Sequence, residues 1–202
     1  MKPRILAIAV VILLALLAAT LAWKYLAIGP SGISRDGAGS GEVSIGGPFS
    51  LTNQDGKTVS DADYRGRFML VYFGFTFCPD ICPTDLLIMS QTMKLLGDDA
   101  KQVAPIFISI DPARDTVAQL KDYLSNFNPP VEGLTGSQAA IDAVVKEYKV
   151  YARKVENPKG DYTMDHSAFM YLMDKNGKYV THFAHNTPPE DMAVAIRKHI
   201  KE

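Results

Sequence analysis

The segment FMLVYFGF, residues 68–75, is a continuous apolar and aromatic run near the middle of this 202-residue chain. A run of this kind is typical of a central strand that is buried on both faces of a sheet. Apolar residues at helical spacing follow over Thr84 to Leu96, and Val103 to Ile110 has the pattern of a second buried strand. The segment therefore predicts the first strand of a βαβ unit.

The rest of the chain predicts two more helices, a hairpin and a final helix. The helices are predicted over residues 115–127 and 138–148, the second with Ser137 as its N-cap. Short strands at residues 168–173 and 179–183 enclose an Asn-Gly pair that supplies the positive φ of a tight hairpin. A proline pair then opens the last helix. This order predicts an α/β domain with a thioredoxin-like fold.

An apolar run from Ile5 to Trp23 precedes this domain. As a helix it has about the length of a bilayer core, roughly 30 Å. A cleaved signal peptide is the alternative, but its apolar region should be only about 7–15 residues long and end at a small-x-small site. We therefore predict that residues 1–26 form a transmembrane anchor with a short cytoplasmic N-terminus, because Lys2 and Arg4 precede the run.

A Gly/Ser-rich segment, residues 27–47, contains 7 of the chain's 15 glycines. Such a segment cannot bury enough apolar surface to offset its ordering entropy, so we predict a flexible tether to a domain over residues 48–202. No Arg-rich, acid-poor transit sequence precedes the apolar run, which favours a bacterial inner membrane over a mitochondrial one. We expect a single-pass protein whose globular domain lies in the periplasm.

The composition excludes several classes of protein. The chain has 21 Lys and Arg against 22 Asp and Glu, a net charge of −1, which excludes binding to nucleic acid by a broad basic surface. Two cysteines exclude a disulfide-rich scaffold and a four-cysteine zinc or iron–sulfur site. The sequence gives no indication of the oligomeric state.

Both cysteines lie in FCPDICP, residues 77–83, between the first buried strand and the next helix. Because the following proline suits the first helical position, Cys82 is predicted near the N-cap, where amide hydrogens and the helix dipole favour a thiolate. The carboxylate of Asp80 would raise the pKa of both thiols, and the sequence leaves open which effect is larger. A structural disulfide across so short a loop would contribute only about 2 kcal/mol, so we predict that Cys78 and Cys82 are a reactive pair.

Two thiolates form a soft but incomplete metal site, and histidine is the natural further ligand. His166 precedes the first strand of the predicted hairpin, in the turn that faces the cysteine loop in a thioredoxin-like topology. His182 and His199 are expected to have no part in the site, and the pattern leaves the role of His185 open. His166 is therefore the histidine that topology brings to the two sulfurs.

Three motifs in order carry a resemblance: FGFTFCPDICP at residues 73–83, ISIDPARDT at residues 108–116 and DHSAF at residues 165–169. Together they resemble the Sco/SenC family of membrane-anchored, thioredoxin-like copper chaperones for cytochrome c oxidase assembly. The resemblance covers the chain from about Gly47 to the end. It implies three copper ligands, which are Cys78, Cys82 and His166.

The chemistry of the residues agrees with this resemblance. Two thiolates and an imidazole suit Cu(I), and with a weak fourth ligand or water they also hold Cu(II). Asp165 is predicted to orient the ring of His166, and Met164 to pack in the core rather than to bind metal. The charged residues within 111–115 lie where open α/β sheets place their sites, but a capping or loop-fixing role is favoured for them.

The resemblance implies a metallochaperone that binds one copper ion and delivers it to the copper-site subunit of cytochrome c oxidase. A periplasmic thiol reductant and another copper carrier are the further expected partners. The alternative is an enzyme, a thiol-disulfide reductase that keeps the cysteines of the oxidase copper site reduced. Such a reductase needs no His166, and thioredoxin-type reductases use C-x-x-C rather than the C-x-x-x-C found here. A peroxidase is unsupported, because its thiol should have a positive neighbour and this loop carries Asp80.

Overall fold

The computed structural model describes residues 16, 18–20, 23, 44–158 and 160–201. By internal contacts the chain divides into two compact units, residues 1–42 and 43–202, and the described residues of the first unit are helical. Among the described residues there is no helix of the length and hydropathy needed to cross a membrane. The predicted anchor at 1–26 and tether at 27–47 lie largely outside the described residues, so both stay predictions.

The second unit alternates strands and helices. Its strands are β1 (Ser50–Asn53), β2 (Thr58–Ser60), β3 (Phe68–Gly74), β4 (Val103–Ser109), β5 (Glu132–Thr135), β6 (Ala152–Glu156), β7 (Tyr162–His166), β8 (Phe169–Met173) and β9 (Tyr179–Ala184). Its helices are α1 (Ile81–Leu96), α2 (Val117–Leu124), α3 (Gln138–Glu147) and α4 (Pro189–Lys201). The predicted βαβ unit is β3-α1-β4, and the predicted hairpin and last helix are β8, β9 and α4.

Seven of the strands form one mixed sheet in the order β2-β1-β5-β4-β3-β8-β9. The central strands β3, β4 and β5 are parallel, while β8 and β9 on one side and β1 and β2 on the other are antiparallel to their neighbours. Strands β6 and β7 pair only with each other, as an antiparallel β6–β7 ribbon outside this sheet.

The core lies on both faces of β3. All seven residues of this strand are buried, as the apolar run predicts. Helix α1 packs against α4, and α2 packs against β5. The second contact depends on Gly133, since a Cβ at that position would overlap the side chains of Leu120 and Leu124.

Helix α1 begins earlier than predicted, at Ile81 rather than Thr84, and its N-cap is Asp80. The amide of Thr84 donates to the Asp80 carbonyl at 3.3 Å, which closes the first helical turn. Pro83 is tolerated inside this turn because the first amides of a helix have no intrahelical acceptor. Cys82 is the second residue of the helix, which confirms its predicted place near the N-cap. The predicted place of Pro83 at the first helical position is wrong, because Pro83 is the third residue.

The other boundaries follow the sequence where the local signal is specific. The Ser137 side chain accepts from the amide of Ala140 at 3.2 Å, which confirms the predicted N-cap of α3. Gly177 in the β8–β9 hairpin has φ +75°, as a tight turn requires. Strands β1, β2 and β5 and the β6–β7 ribbon were not predicted.

Candidate metal centre

The two cysteines lie beyond the carboxyl end of β3, and both are free thiols. Cys78 is in the loop between β3 and α1, and it is partly exposed. Cys82 is in the first turn of α1, with none of its surface exposed. The amide of Cys82 donates to the sulfur of Cys78 at 3.4 Å, so Cys78 is the cysteine that receives an amide hydrogen at the start of the helix.

This arrangement gives the two sulfurs different acidities. A hydrogen bond from the Cys82 thiol lowers the pKa of Cys78 to about 5, and the amides of Asp80 and Cys82 add to this effect against the opposing effect of burial. The pKa of Cys82 is raised, first by its hydrogen bond to Cys78 and then by burial. At neutral pH the site therefore holds an ionised Cys78 beside a protonated Cys82. The sequence left open how strongly the Asp80 carboxylate raises the pKa of the two thiols. In the structure Asp80 is an exposed residue.

Gly74 permits the close packing of the Cys82 sulfur against β3. A Cβ at this position would lie 2.9 Å from the sulfur of Cys82 and 2.7 Å from the ring of Phe107. Real Cβ contacts are longer than this, so any larger residue would displace the sulfur or the ring. The last residue of the strand thus fixes how deeply the second cysteine is buried.

His166 is the last residue of β7, and it reaches the cysteines from the other side. Its Nε2 lies 3.7 Å from the sulfur of Cys82, and its Nδ1 lies 3.0 Å from the carbonyl of Ser167. A carbonyl only accepts, so Nδ1 is the donor in this contact, and in the neutral ring this leaves the lone pair on Nε2, which faces Cys82. Edge-on contacts with the rings of Tyr72 and Phe75 hold the imidazole in this orientation.

The 3.7 Å separation between the Cys82 sulfur and the His166 Nε2 is one that a single bound metal ion would bridge. A metal with bonds of about 2.3 Å to sulfur and about 2.0 Å to nitrogen holds those atoms roughly 3.5–3.7 Å apart at angles between tetrahedral and trigonal. Within the part of the chain that the structure describes, however, no group of three or more His, Cys, Asp or Glu is already arranged to hold a metal ion. The Cys82 sulfur and the His166 Nε2 are thus at a separation that one metal ion bridges, and the Cys78 sulfur lies 3.4 Å from the amide of Cys82.

A cleft of about 270 Å³ opens between the cysteine loop and β7. Cys78 and His166 both line it, together with Met164 and Asp165. Met164 is partly buried and packs against the core, which confirms its predicted role. The predicted role of Asp165 in orienting His166 is wrong: the Ser167 carbonyl does this, because neighbouring residues of a strand point to opposite faces.

A model of the SCO1/SenC family matches residues 37–201. The chain belongs to the SCO1/SenC family. A curated relative, Protein sco1 of Schizosaccharomyces pombe, is 44% identical over 160 residues, which are 77% of this chain and 61% of that protein. The chain therefore spans less than two thirds of the length of this relative. The resemblance drawn from the three motifs is confirmed.

Solved structures of the family have the same fold. ScoI of Bradyrhizobium japonicum, with copper bound, has a TM-score of 0.72 at 49% identity and covers 77% of this chain and 99% of its own. BsSco, described as a Sco-family cytochrome c oxidase assembly protein with a disulfide switch, has a TM-score of 0.61 at 32% identity and covers 77% and 92%. These likenesses confirm the predicted α/β thioredoxin-like fold.

The remaining histidines of this SCO1/SenC protein lie elsewhere. His185, whose role the sequence left open, has its Nδ1 2.9 Å from a carboxylate oxygen of Asp85, which is almost fully buried in α1. His182 forms a 2.6 Å hydrogen bond with the hydroxyl of Tyr179 in the same strand. His199 lies in α4. His185 therefore links the end of β9 to α1 through a buried carboxylate.

The charged residues of the second motif fix the loops around the site. Asp115 is fully buried and accepts from the hydroxyl of Ser109 and from the amide and hydroxyl of Thr76, at 2.5 to 3.1 Å. Burial nevertheless raises its pKa, against the lowering effect of these hydrogen bonds. The loop-fixing role is confirmed, whereas the capping role is wrong for these residues because Thr116 caps α2.

Tyr162, at the start of β7, is a residue of this region that the sequence analysis did not single out. Its hydroxyl donates to Asp111 at 2.9 Å, and the Arg114 guanidinium lies over its ring. No sequence signal pointed to Tyr162, because the β6–β7 ribbon that carries this residue was not predicted. Most residues on both sides of Tyr162 are polar and follow no regular alternation, so the strand has no sequence signal.

Proposed function

We propose that this SCO1/SenC protein binds one copper ion through Cys78, Cys82 and His166 and delivers it to the copper-site subunit of cytochrome c oxidase. The observation that carries the proposal is the 3.7 Å separation between the Cys82 sulfur and the Nε2 of His166. Support comes from ScoI of Bradyrhizobium japonicum, which has copper bound, and from the description of BsSco as an oxidase assembly protein.

The donor set suits copper in both oxidation states. Soft thiolates favour Cu(I), and the imidazole makes the set suitable for Cu(II) as well. Cys78 is already ionised at neutral pH, whereas Cys82 must release its proton when the metal binds. Copper binding should therefore release about one proton per ion from the reduced protein near neutral pH.

Exposed apolar side chains surround the proposed site and offer a surface for the oxidase subunit. Phe77 and Ile81 flank the cysteines, and Phe169 follows the segment that carries His166. A periplasmic thiol reductant is a second proposed partner, because the cysteines bind copper only when reduced. Another copper carrier is the proposed source of the metal.

Titration of the reduced full-length protein with Cu(I) and with Cu(II) tests the proposal. We expect each titration to saturate at one copper per chain, with sulfur-to-copper charge-transfer absorption in the Cu(II) form. The variants that identify the ligands are described in the Discussion. Absence of saturable binding in both oxidation states would refute the proposal.

We also propose that residues 1–26 anchor the protein in a bacterial inner membrane and that the domain lies in the periplasm. The apolar run and the preceding basic residues support this orientation. A reporter fused after Glu202 should therefore be active only if it is of a kind that works in the periplasm. The same reporter fused to a chain lacking residues 1–26 is the control and should be cytoplasmic. Cytoplasmic activity of the full-length fusion would contradict the orientation.

The asymmetric thiol pair favours a second function, the reduction of disulfides in the oxidase copper site. A thiolate that is accessible and has a lowered pKa attacks a disulfide, and a neighbouring thiol then resolves the mixed disulfide. Cys78 has the properties of the attacking thiol, and the buried Cys82 those of the resolving thiol. The role of His166 separates the two functions, since only copper binding requires the imidazole.

A further inference from the structure

The position of His166 depends on a ribbon that the main sheet does not hold. Strands β6 and β7 pair only with each other. An isolated two-stranded hairpin is at best marginally stable in water, so contacts outside its ladder must fix its place. Near His166 these contacts are the edge-on packing of its ring against Tyr72 and Phe75. Two hydrogen bonds between Ser167 and Tyr151, at 3.0 and 3.1 Å, continue the ladder past His166. The other end of β7 needs an anchor of its own.

Arg114 provides that anchor at Tyr162. Its Nε lies 2.5 Å from a carboxylate oxygen of Asp111, and its Nη1 donates to the carbonyl of Tyr162 at 2.9 Å. The guanidinium carbon lies 3.7 Å from the centre of the Tyr162 ring. The Tyr162 hydroxyl in turn donates to the other oxygen of Asp111 at 2.9 Å. The first residue of β7 is therefore held through its ring, its hydroxyl and its backbone.

The same arginine also contacts the cysteine loop. Its guanidinium carbon lies 4.7 Å from the ring centre of Phe77, the residue before Cys78. The next residue, Asp115, binds the amide of Thr76 in the same loop. The arginine and its neighbour thus touch both the loop that carries Cys78 and the strand that carries His166.

We propose that Arg114 is a positioning residue that holds His166 at 3.7 Å from the Cys82 sulfur and so supports the binding of Cu(II) at the site. The inference rests on the proposed function, in which Cys78, Cys82 and His166 bind the copper. Two thiolates suffice for Cu(I), whereas Cu(II) also needs the imidazole. Loosening the ribbon therefore weakens Cu(II) binding selectively.

The geometry requires arginine rather than any cation. A planar guanidinium stacks on aromatic rings while its fork donates to oxygens in two directions, and an ammonium cannot do both. Arg114→Lys keeps a positive charge beside the buried Asp111 and loses the stacking. Tyr162→Leu removes the ring and leaves the Arg114–Asp111 ion pair intact. Both variants loosen the ribbon without leaving a buried charge unpaired.

Full-length Arg114→Lys and Tyr162→Leu should each lower the Cu(II) affinity about 10- to 100-fold, the usual cost of removing a residue that supports a ligand. Their Cu(I) affinity should stay close to that of the wild-type protein. Without metal, amide hydrogen exchange should accelerate in residues 152–166 and stay unchanged in β3 and β4. Arg153→Ala, which removes an exposed arginine from the same ribbon, is the control and should change none of these quantities.

The inference is wrong if both variants bind Cu(II) like the wild-type protein. It is also wrong if they lose Cu(I) and Cu(II) affinity equally, or if hydrogen exchange accelerates throughout the sheet, because Arg114 then supports general stability. If the wild-type protein binds no copper, the proposed function fails. Hydrogen exchange in the ribbon then decides alone whether Arg114 positions β7: unchanged exchange overturns the inference, and faster exchange confined to the ribbon upholds the positioning.

Discussion

The Cys82→Ser variant should lose tight Cu(I) binding. A hydroxyl is a poor ligand for Cu(I), and the site has few other donors to replace the sulfur. Structural zinc sites with four ligands bind with about 10–16 kcal/mol, or roughly 2.5–4 kcal/mol per ligand, so we expect an affinity loss on the order of 100-fold or more. Competition with a Cu(I) chelator under reducing conditions measures this loss.

The serine variant is informative because serine can still donate a hydrogen bond to Cys78. Much of the environment that lowers the pKa of Cys78 is therefore kept, and the ligand alone is removed. Met89→Leu is the matched control, since it removes another buried sulfur from α1 at nearly constant volume. Cu(I) binding by Cys82→Ser at wild-type affinity would refute the proposed ligand set.

The His166→Ala variant should lose Cu(II) binding and oxidase assembly but keep most of its dithiol reductase activity. Two sulfurs alone coordinate Cu(II) poorly, and removing the imidazole should lower the Cu(II) affinity at least about 100-fold. The thiol reaction depends instead on the ionised Cys78 and its contact with Cys82. Cu(II) titration, an insulin-type disulfide reduction assay and oxidase activity in cells measure the three quantities.

His182→Ala is the control for this variant, because it removes an exposed histidine outside the cleft. Cells with His166→Ala should resemble a deletion strain, and added copper should partly rescue them. If these cells instead assemble the oxidase normally at low copper, His166 is not a working ligand. The reductase function would then be the better account of the protein.

The sequence predicts the central elements well because their signals are local and strong. β3 and β4 are almost entirely apolar, α1 has helical spacing, and the Ser137 cap needs only one side chain. The β6–β7 ribbon escapes prediction because its strands contain only exposed and half-buried residues, without a regular alternation, and tertiary contacts from Arg114 hold it in place. A strand of this kind has no apolar pattern of its own.

In the site, too, the sequence predicts what a local pattern encodes and misses what depends on the folded structure. The motifs point to Cys78, Cys82 and His166, and the structure places all three around one cleft or directly beside it. The different roles of the two thiols depend on where α1 begins, and helix boundaries are the least reliable part of a sequence-based prediction. Because α1 begins three residues earlier than predicted, an amide of its first turn donates to the sulfur of Cys78 rather than to that of Cys82.

The complete burial of Cys82 has a kinetic consequence for a copper carrier. A donor protein and an acceptor protein can reach a bound ion only from the open cleft, on the side of Cys78 and His166. Under the proposed function, the two proteins then compete for that one face of the site. Delivery becomes two successive encounters, and the departure of the donor limits how soon the second can begin.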